Sequence, residues 1–225
     1  RPTGRFSLKT VLMLGDQLIT HLKFMHSRGI LHRDIKPQNM LIGVGKKSHV
    51  VFLVDMGLSK CFIFFNTREH IPYETGRPFL GTPRYAPLSM HQGLQSGRCR
   101  DLEALGYVLA YLYLGKLPWQ HCLPSKKGQS PVKATYAAKV KTMDALFEQL
   151  PAEFKEFITY CQDLPFNAKP NYDKLRGIFR TCAARNDICV DPGTGETTYD
   201  QVFDWTSRRR PARDRIPTPS DGEVT

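Results

Sequence analysis

One short stretch of the sequence gathers side chains that could activate a hydroxyl group beside a metal ion, His32-Arg33-Asp34-Ile35-Lys36-Pro37-Gln38-Asn39. The carboxylate of Asp34 can accept the proton of a hydroxyl, and the amide oxygen of Asn39 can turn toward a magnesium ion. Lys36, two residues past Asp34, is close enough in sequence to offset negative charge that develops on the group under attack. The alternative for Lys36 is a solvated surface lysine. The stretch therefore predicts a loop that aligns a nucleophile with a metal.

A second carboxylate follows an apolar run. Asp55-Met56-Gly57 comes directly after the five apolar residues from Val50 to Val54, sixteen residues past Asn39. Hard divalent cations take carboxylate and phosphate oxygens as ligands, so Asp55 is expected to chelate magnesium. The alternative is a turn at the end of a strand that merely contains an aspartate.

The spacing of these two motifs matches a known pattern. The first stretch fits H-R-D-x-x-x-x-N, the catalytic loop of protein kinases, and D-M-G stands where kinases carry D-F-G. Met56 is apolar and adaptable enough to pack in the slot of that phenylalanine. The five fixed residues of H-R-D, Lys and Asn would coincide by chance about once in a few million positions. The sequence therefore predicts a kinase that uses ATP and Mg²⁺.

Over residues 6–206 the chain resembles the casein kinase 1 branch of serine/threonine kinases. The resemblance lies in FSLKTVLML from Phe6, Gly81-Thr82-Pro83-Arg84-Tyr85-Ala86, DLEALGYVL from Asp101, Leu117-Pro118-Trp119-Gln120 and Val202-Phe203-Asp204-Trp205. It implies a mainly α fold: the large C-terminal lobe of a protein kinase over residues 1–205, with a small β hairpin at the catalytic loop. The implied activity is transfer of the γ-phosphoryl group of ATP to serine or threonine.

The resemblance also implies roles for individual residues. Catalysis would involve Asp34, Lys36 and Thr82, with Thr82 helping to position Asp34. The nucleotide and its magnesium would be bound by Asn39, Leu41 and Asp55, of which Asn39 and Asp55 hold the metal.

Two of the matching motifs allow simpler interpretations. The family relation implies that Asp101 ties a buried helix to the backbone of the catalytic loop, but Asp101 could instead be only a helix N-cap. Thr82 could likewise be only a turn residue.

A basic residue next to this motif suggests the class of substrate. Arg84 matches the family arginine that lines an anion site beside the substrate groove, and a guanidinium suits phosphate because its donors form a bidentate fork. The lysine that the family places just before the position of Tyr136 is Thr135 here, although Lys133 could reach the same site. We therefore expect acidic or already phosphorylated protein substrates. The alternative is that Arg84 pairs with a nearby carboxylate.

The sequence departs from kinases after this segment. Most kinases carry Ala-Pro-Glu there and the casein kinase 1 group Ser-Ile-Asn, whereas this chain reads Ala86-Pro87-Leu88. The glutamate that usually pairs with an arginine of a late helix, here Arg176, is therefore missing. We expect Glu103 to take its place as the partner of Arg176.

A larger departure concerns the parts that kinases place over the nucleotide. A glycine-rich loop, a strand lysine and a helix glutamate are needed there, and no such set is found in the 225 residues. The nearest match, Gly43-Val44-Gly45, lacks a third glycine and follows the catalytic loop. By the family comparison the chain begins just after the hinge, so we expect this fragment to be inactive alone.

The motifs need elements that hold them in place, and hydrophobic periodicity predicts several. A helix is predicted from Ser7 to Arg28, capped by Ser7 and closed by Gly29, followed by a hairpin of Met40–Ile42 with Val50–Val54 around a glycine turn. Residues 55–98 are expected to form a long irregular loop. Later helices are predicted at Asp101–Leu114, which should be buried, Ala134–Leu150 with a break near Thr142, Ala152–Leu164 and Asn171–Cys182. Residues 206–225 are predicted to be a disordered basic tail.

Composition narrows the class of protein. Thirty-two Lys and Arg against 21 Asp and Glu give a net charge of +11, and 41% of the residues are apolar. A chain of this kind can bury a core, and its charge favours an anionic partner. No apolar run approaches the roughly 20 residues of a membrane span, and no secretion signal is visible. We expect a monomer of the cytoplasm or nucleus that has no membrane partner.

Other classes remain to be weighed against the kinase. The six cysteines form no C-x-x-C pair, so we interpret them as small apolar fillers in a reducing compartment rather than metal or disulfide sites. A nucleic-acid-binding protein is disfavoured because no zinc finger, helix-turn-helix or aromatic-basic RNA motif is found. A noncatalytic kinase-lobe scaffold for partner binding is the remaining alternative.

Overall fold

The computed structural model describes residues 4–122, 130–190, 194 and 197–206. The predicted tail lies outside these residues apart from Thr206. The fold is mostly helical and carries two small antiparallel sheets. Among the described residues, no helix is both long and apolar enough to cross a membrane.

The first helix, α1, spans Leu8–Ser27 and confirms the prediction at both ends. Ser7 caps it with a hydroxyl that accepts a hydrogen bond from the Thr10 amide at 3.2 Å. Gly29 has a φ of +79°, a left-handed conformation in which glycine meets no steric penalty.

The predicted hairpin is present after α1. Strands β2 (Met40–Ile42) and β3 (Val51–Leu53) pair antiparallel, with Met40 opposite Leu53 and Ile42 opposite Val51. A turn of 3₁₀ helix at Gly45–Lys47 joins them. The hairpin confirms that the catalytic-loop motif leads directly into a small sheet.

The segment expected to be one long irregular loop contains two short elements. Strand β1 (Ile30–Leu31) pairs with β4 (Lys60–Cys61), and α2 spans Leu88–His91. Strands of two residues are too short to show an alternation of apolar and polar positions, so sequence periodicity could not reveal them.

The core forms around α3, which spans Arg98–Leu114 and packs against α1 on one side and α5 (Ala152–Asp163) on the other. Its burial confirms the prediction. Gly106 permits the close approach of α5, because a Cβ there would lie 2.7 Å from Cγ1 of Ile158. Helix α6 (Tyr172–Arg185) completes the layer by packing on α1 and α5.

Helix α4 spans Pro131–Phe147 without interruption, so the predicted break near Thr142 is wrong. The Thr142 hydroxyl donates to the carbonyl oxygen of Ala138 at 2.8 Å, which satisfies its polar group within the helix. The helix begins before Ala134 because Ser130 caps it and Pro131 suits its first turn.

The residues after α6 return to the start of the chain. Asp204 accepts hydrogen bonds from the amide and the hydroxyl of Ser7, at 2.7 and 2.8 Å. The indole of Trp205 donates to the carbonyl of Ser48 and stacks on Phe203. The segment therefore ties α1 to the turn of the β2–β3 hairpin.

All six cysteines are free thiols. Cys99, Cys161 and Cys182 are buried in the core, which confirms the interpretation as apolar fillers for these three. Cys61 is exposed, because its strand lies at the surface.

Candidate active site

The backbone of the His-Arg-Asp stretch is held by a buried carboxylate of α3. Asp101 accepts hydrogen bonds from the amides of His32 and Arg33, at 2.7 and 2.8 Å. This confirms that Asp101 ties α3 to the loop. The N-cap alternative is wrong, since α3 begins at Arg98 with Gly97 as its cap. Arg33 has a φ of +68°, a left-handed conformation that these bonds hold in place.

The charge of Asp101 is balanced inside the protein. Burial would raise the pKa of Asp101, but hydrogen bonds from His26 and from the two loop amides hold it below its ordinary value. The imidazole of His26 lies 3.0 Å from Asp101 and 2.8 Å from the hydroxyl of Tyr172. The anchor of the loop is thus an ionised, fully hydrogen-bonded carboxylate.

Asp34 lies at the centre of the site and is buried. One carboxylate oxygen accepts a hydrogen bond from the Thr82 hydroxyl at 2.9 Å, and the other accepts from the Lys36 ammonium at 2.5 Å. Thr82 is 48 residues away in sequence, so the fold brings together residues that the sequence only suggested were related. Two donors fix the orientation of the carboxylate.

Asn39 and Asp55 are linked through the end of β3. The Val54 amide donates to the carbonyl of Asn39 at 2.9 Å, and Asp55 follows immediately. The Asn39 amide group donates to the carbonyl of Asp34 at 3.0 Å, which leaves its oxygen for another partner. Asp55 is exposed, has a φ of +66° and accepts from the Gly57 amide at 3.1 Å. Two hard oxygen donors on tied segments suit Mg²⁺.

His32 links the loop that carries Asp34 to the end of β3. It is fully buried, and its Nε2 lies 3.0 Å from the carbonyl oxygen of Val54. Its Nδ1 lies 3.3 Å from the amide nitrogen of Asp34. The imidazole therefore joins the residue before Asp55 to the residue that carries the central carboxylate.

Comparison with protein families agrees with this arrangement. The protein kinase domain model matches residues 2–175 of the chain. The chain belongs to the protein kinase family. Kinases use ATP and Mg²⁺, and the residues that the kinase motifs specify are the ones that the structure gathers around Asp34 and at the end of β3.

Two apolar residues near the kinase motifs are more exposed than a closed pocket requires. Leu41, predicted to contact the nucleotide, lies on β2 with 51% of its surface exposed. Met56 is 45% exposed and lines an open apolar hollow with Phe24 and Leu53. The packing of Met56 in the slot of the kinase phenylalanine and the contact of Leu41 with the nucleotide both stay predictions.

A groove of about 590 Å³ opens beside the kinase catalytic loop. It is lined by Lys36, Asn39, Thr82, Arg84 and Thr135, among others. The guanidinium of Arg84 lies 5.8 and 5.9 Å from the ring centres of Tyr85 and Tyr111. Within the described residues, no carboxylate forms an ion pair with Arg84, which is one of the residues that line the groove.

The structure does not bring Lys133 into this groove. Lys133 lies exposed in the first turn of α4, and the groove lining contains Thr135 instead. Lys133, the second cation expected for the anion site, is therefore not among the residues that line the groove.

A second group of cations was not found from the sequence. Arg33, Lys60 and Arg77 line a cavity of about 100 Å³ beside the catalytic loop. Burial and repulsion from Arg77 and Arg33 lower the pKa of Lys60. Burial also lowers the pKa of Arg33, against the attraction of Asp101. The only local signal was the arginine of the H-R-D motif, because Arg77 lies in a segment without periodicity.

The expected pair of Glu103 with Arg176 is wrong. Arg176 forms a two-pronged ion pair with Asp16 on α1, at 2.8 and 2.9 Å. Glu103 faces α5 instead and accepts hydrogen bonds from Arg100 and from the hydroxyl of Tyr107. The physical reason is that α6, which carries Arg176, packs on α1 and presents its arginine there.

Proposed function

We propose that the chain forms the large C-terminal lobe of a serine/threonine kinase of the casein kinase 1 type. The reaction is transfer of the γ-phosphoryl group of ATP to serine or threonine in acidic or already phosphorylated proteins. The observation that supports this most directly is the position of Asp34, whose carboxylate is bonded to Lys36 and Thr82, two residues that line the same groove as Arg84.

The residues of the chain divide the chemistry among them. The substrate oxygen forms a bond to the γ-phosphorus, the bond from that phosphorus to the leaving oxygen of ADP breaks, and the hydroxyl proton passes to Asp34. Thr82 keeps the carboxylate aimed, and Lys36 offsets charge on the transferred group. Asn39 and Asp55 would hold Mg²⁺, which supplies positive charge for the phosphates.

Charge around the groove supports the proposed substrate class. Arg84 lines the groove and forms no ion pair among the described residues. Arg33, Lys60 and Arg77 line a second cavity near the same loop, where Arg77 is paired with Glu74. A guanidinium binds phosphate by two parallel hydrogen bonds. Phosphorylated or acidic side chains that flank the target hydroxyl would therefore meet a cation.

Turnover requires parts that the 225 residues do not supply. The glycine-rich loop, the strand lysine and the helix glutamate that kinases place over the nucleotide have no counterpart in the sequence. The second candidate function is a noncatalytic scaffold that uses the kinase fold to bind partners.

The test is the substitution Asp34→Asn, measured while a kinase small lobe is supplied. An amide of nearly the same size cannot accept the substrate proton, so transfer of ³²P to a casein-type peptide should fall by orders of magnitude. Asp144→Asn, at an exposed position of α4, is the matched control. Equal transfer by Asp34→Asn and the parent would refute the catalytic role, and binding of partners without any transfer by the parent would favour the scaffold.

A further inference from the structure

Lys139, on α4, is a completely buried lysine that takes no part in the chemistry described so far. Its ammonium donates a hydrogen bond to the carbonyl oxygen of Ala86 at 2.5 Å. A buried charge is costly unless it is paired or strongly hydrogen-bonded. A lysine retained at such a position therefore calls for a local reason.

Two aromatic rings surround the same ammonium. Its nitrogen lies 4.8 Å from the ring centre of Tyr107 and 5.1 Å from that of Trp119. Attraction to ring faces offsets part of the lost hydration. Burial still lowers the pKa of Lys139 to about 7, although the nearby Glu103 opposes this. The cation is thus held in a closed socket of one carbonyl and two rings.

Side chains near Lys139 contact other backbone carbonyls of the segment that contains Ala86. The indole of Trp119 donates to the carbonyl of Arg84 at 2.8 Å, and Nε2 of His91 lies 3.2 Å from that of Pro83. We call residues 83–87 the substrate loop. Side chains from other parts of the fold therefore contact three of its backbone carbonyls, those of Pro83, Arg84 and Ala86. The contact of Lys139 is the shortest of the three, at 2.5 Å.

We propose that Lys139 is a positioning residue for substrate recognition, which fixes the substrate loop through the Ala86 carbonyl so that Arg84 faces the groove. The substrate part of this inference rests on the proposed function, whereas the anchoring of the loop does not. Lys139 itself is too deeply buried to touch a substrate.

Hydrogen–deuterium exchange of the 225-residue chain tests the anchoring directly. The amides of Tyr85 and Ala86 both donate to the carbonyl of Thr82 at 3.0 Å, so their exchange reports on opening of the loop. In Lys139→Met, loss of a charged hydrogen bond should accelerate exchange in peptides that cover 82–90 by about tenfold. Lys141→Met, at an exposed position of the same helix, should leave exchange unchanged.

Two outcomes would overturn the anchoring. One is unchanged exchange in Lys139→Met, and the other is acceleration spread evenly over the whole chain, which would indicate general loss of stability. If Lys139→Met does not fold, Lys139→Gln replaces it. Its side chain is one atom too short to reach Ala86, so it should give the same local acceleration.

Binding of a fluorescent phosphoserine peptide separates this inference from the proposed function. Lys139→Met should weaken the affinity several-fold, whereas Lys141→Met should match the parent. If the parent itself does not bind the peptide, the anion site at Arg84 fails, and the exchange experiment still decides whether Lys139 anchors the loop. Faster exchange with unchanged affinity would overturn the claim that the anchor serves recognition.

Discussion

Replacement of Lys139 by methionine should change how the stability of the protein depends on pH. The side chain is fully buried, and burial lowers its pKa from the ordinary 10.5 to about 7. Since each tenfold change in proton affinity is worth about 1.4 kcal/mol, the cost of keeping the buried group charged is about 5 kcal/mol. Methionine has a similar volume and no charge, so Lys139→Met removes this cost.

The direction of the pH effect follows from the two pKa values of Lys139, 10.5 in the unfolded chain and about 7 in the folded protein. Between about pH 7 and 10 the unfolded chain keeps the lysine proton while the folded protein has released it, so the unfolded state binds more protons. The free energy of unfolding of the parent should therefore rise with pH in this window because of Lys139. Below pH 7 both states are protonated and the contribution is constant.

Urea unfolding followed by circular dichroism at several pH values from 6 to 9.5 measures the effect. The difference in the free energy of unfolding, parent minus Lys139→Met variant, should rise by about 3 kcal/mol across that range. Cys161, whose pKa is raised by burial, does not interact with Lys139 and therefore acts equally on both proteins. His91 does interact with Lys139, but burial and the charge of Lys139 lower its pKa to about 4, so it titrates below this pH range in the parent. Parallel stability curves for parent and variant would refute the reasoning, as would the same slope change in Lys141→Met.

Three further predictions concern the groove, the nucleotide and the core. With a small lobe supplied, Arg84→Ala should slow phosphorylation of an already phosphorylated peptide by about tenfold, equivalent to about 1.4 kcal/mol. Phosphorylation of an unmodified peptide should slow less. Equal slowing of both peptides would show that Arg84 has only a structural role. Calorimetry should find very weak ATP binding to the 225-residue chain, and a micromolar dissociation constant would contradict this. Gly106→Ala should destabilise the fold by about 1–3 kcal/mol, because the new Cβ would lie 2.7 Å from Ile158. Gly177→Ala, which has open space, should stabilise α6 by about 0.5–1 kcal/mol, so opposite signs in thermal unfolding are expected.

The parts of the fold that the sequence predicted are those with strong local signals. α1 carries a periodic apolar face, a serine cap and a closing glycine, and α3 is apolar nearly all round. The hairpin was visible because two apolar runs flank glycines. The predicted break near Thr142 is wrong because the low helix propensity of β-branched threonine is only a weak preference. The hydroxyl of Thr142 is satisfied inside the helix by a hydrogen bond to the Ala138 carbonyl.

The parts of the site that the sequence missed depend on contacts between distant segments. The motif gave Asp34, Lys36 and Asn39 by spacing alone, since they lie within one loop. The partner of Arg176 could not be predicted, because the choice between Asp16 and Glu103 depends on which face of α6 meets α1. Lys139 gave no signal either, since a lysine on a helix is ordinarily a solvated residue.

A single buried helix connects the two loops that a kinase must hold in register. Near its start, Asp101 holds the backbone of the catalytic loop through the amides of His32 and Arg33. Six residues further along α3, the ring centre of Tyr107 lies 4.8 Å from the ammonium of Lys139, which contacts the substrate loop at the Ala86 carbonyl. Because Asp101 and Tyr107 both lie on α3, one element sets the distance between Asp34 and the groove. The short strands and loops of the site can therefore be irregular without losing their mutual placement.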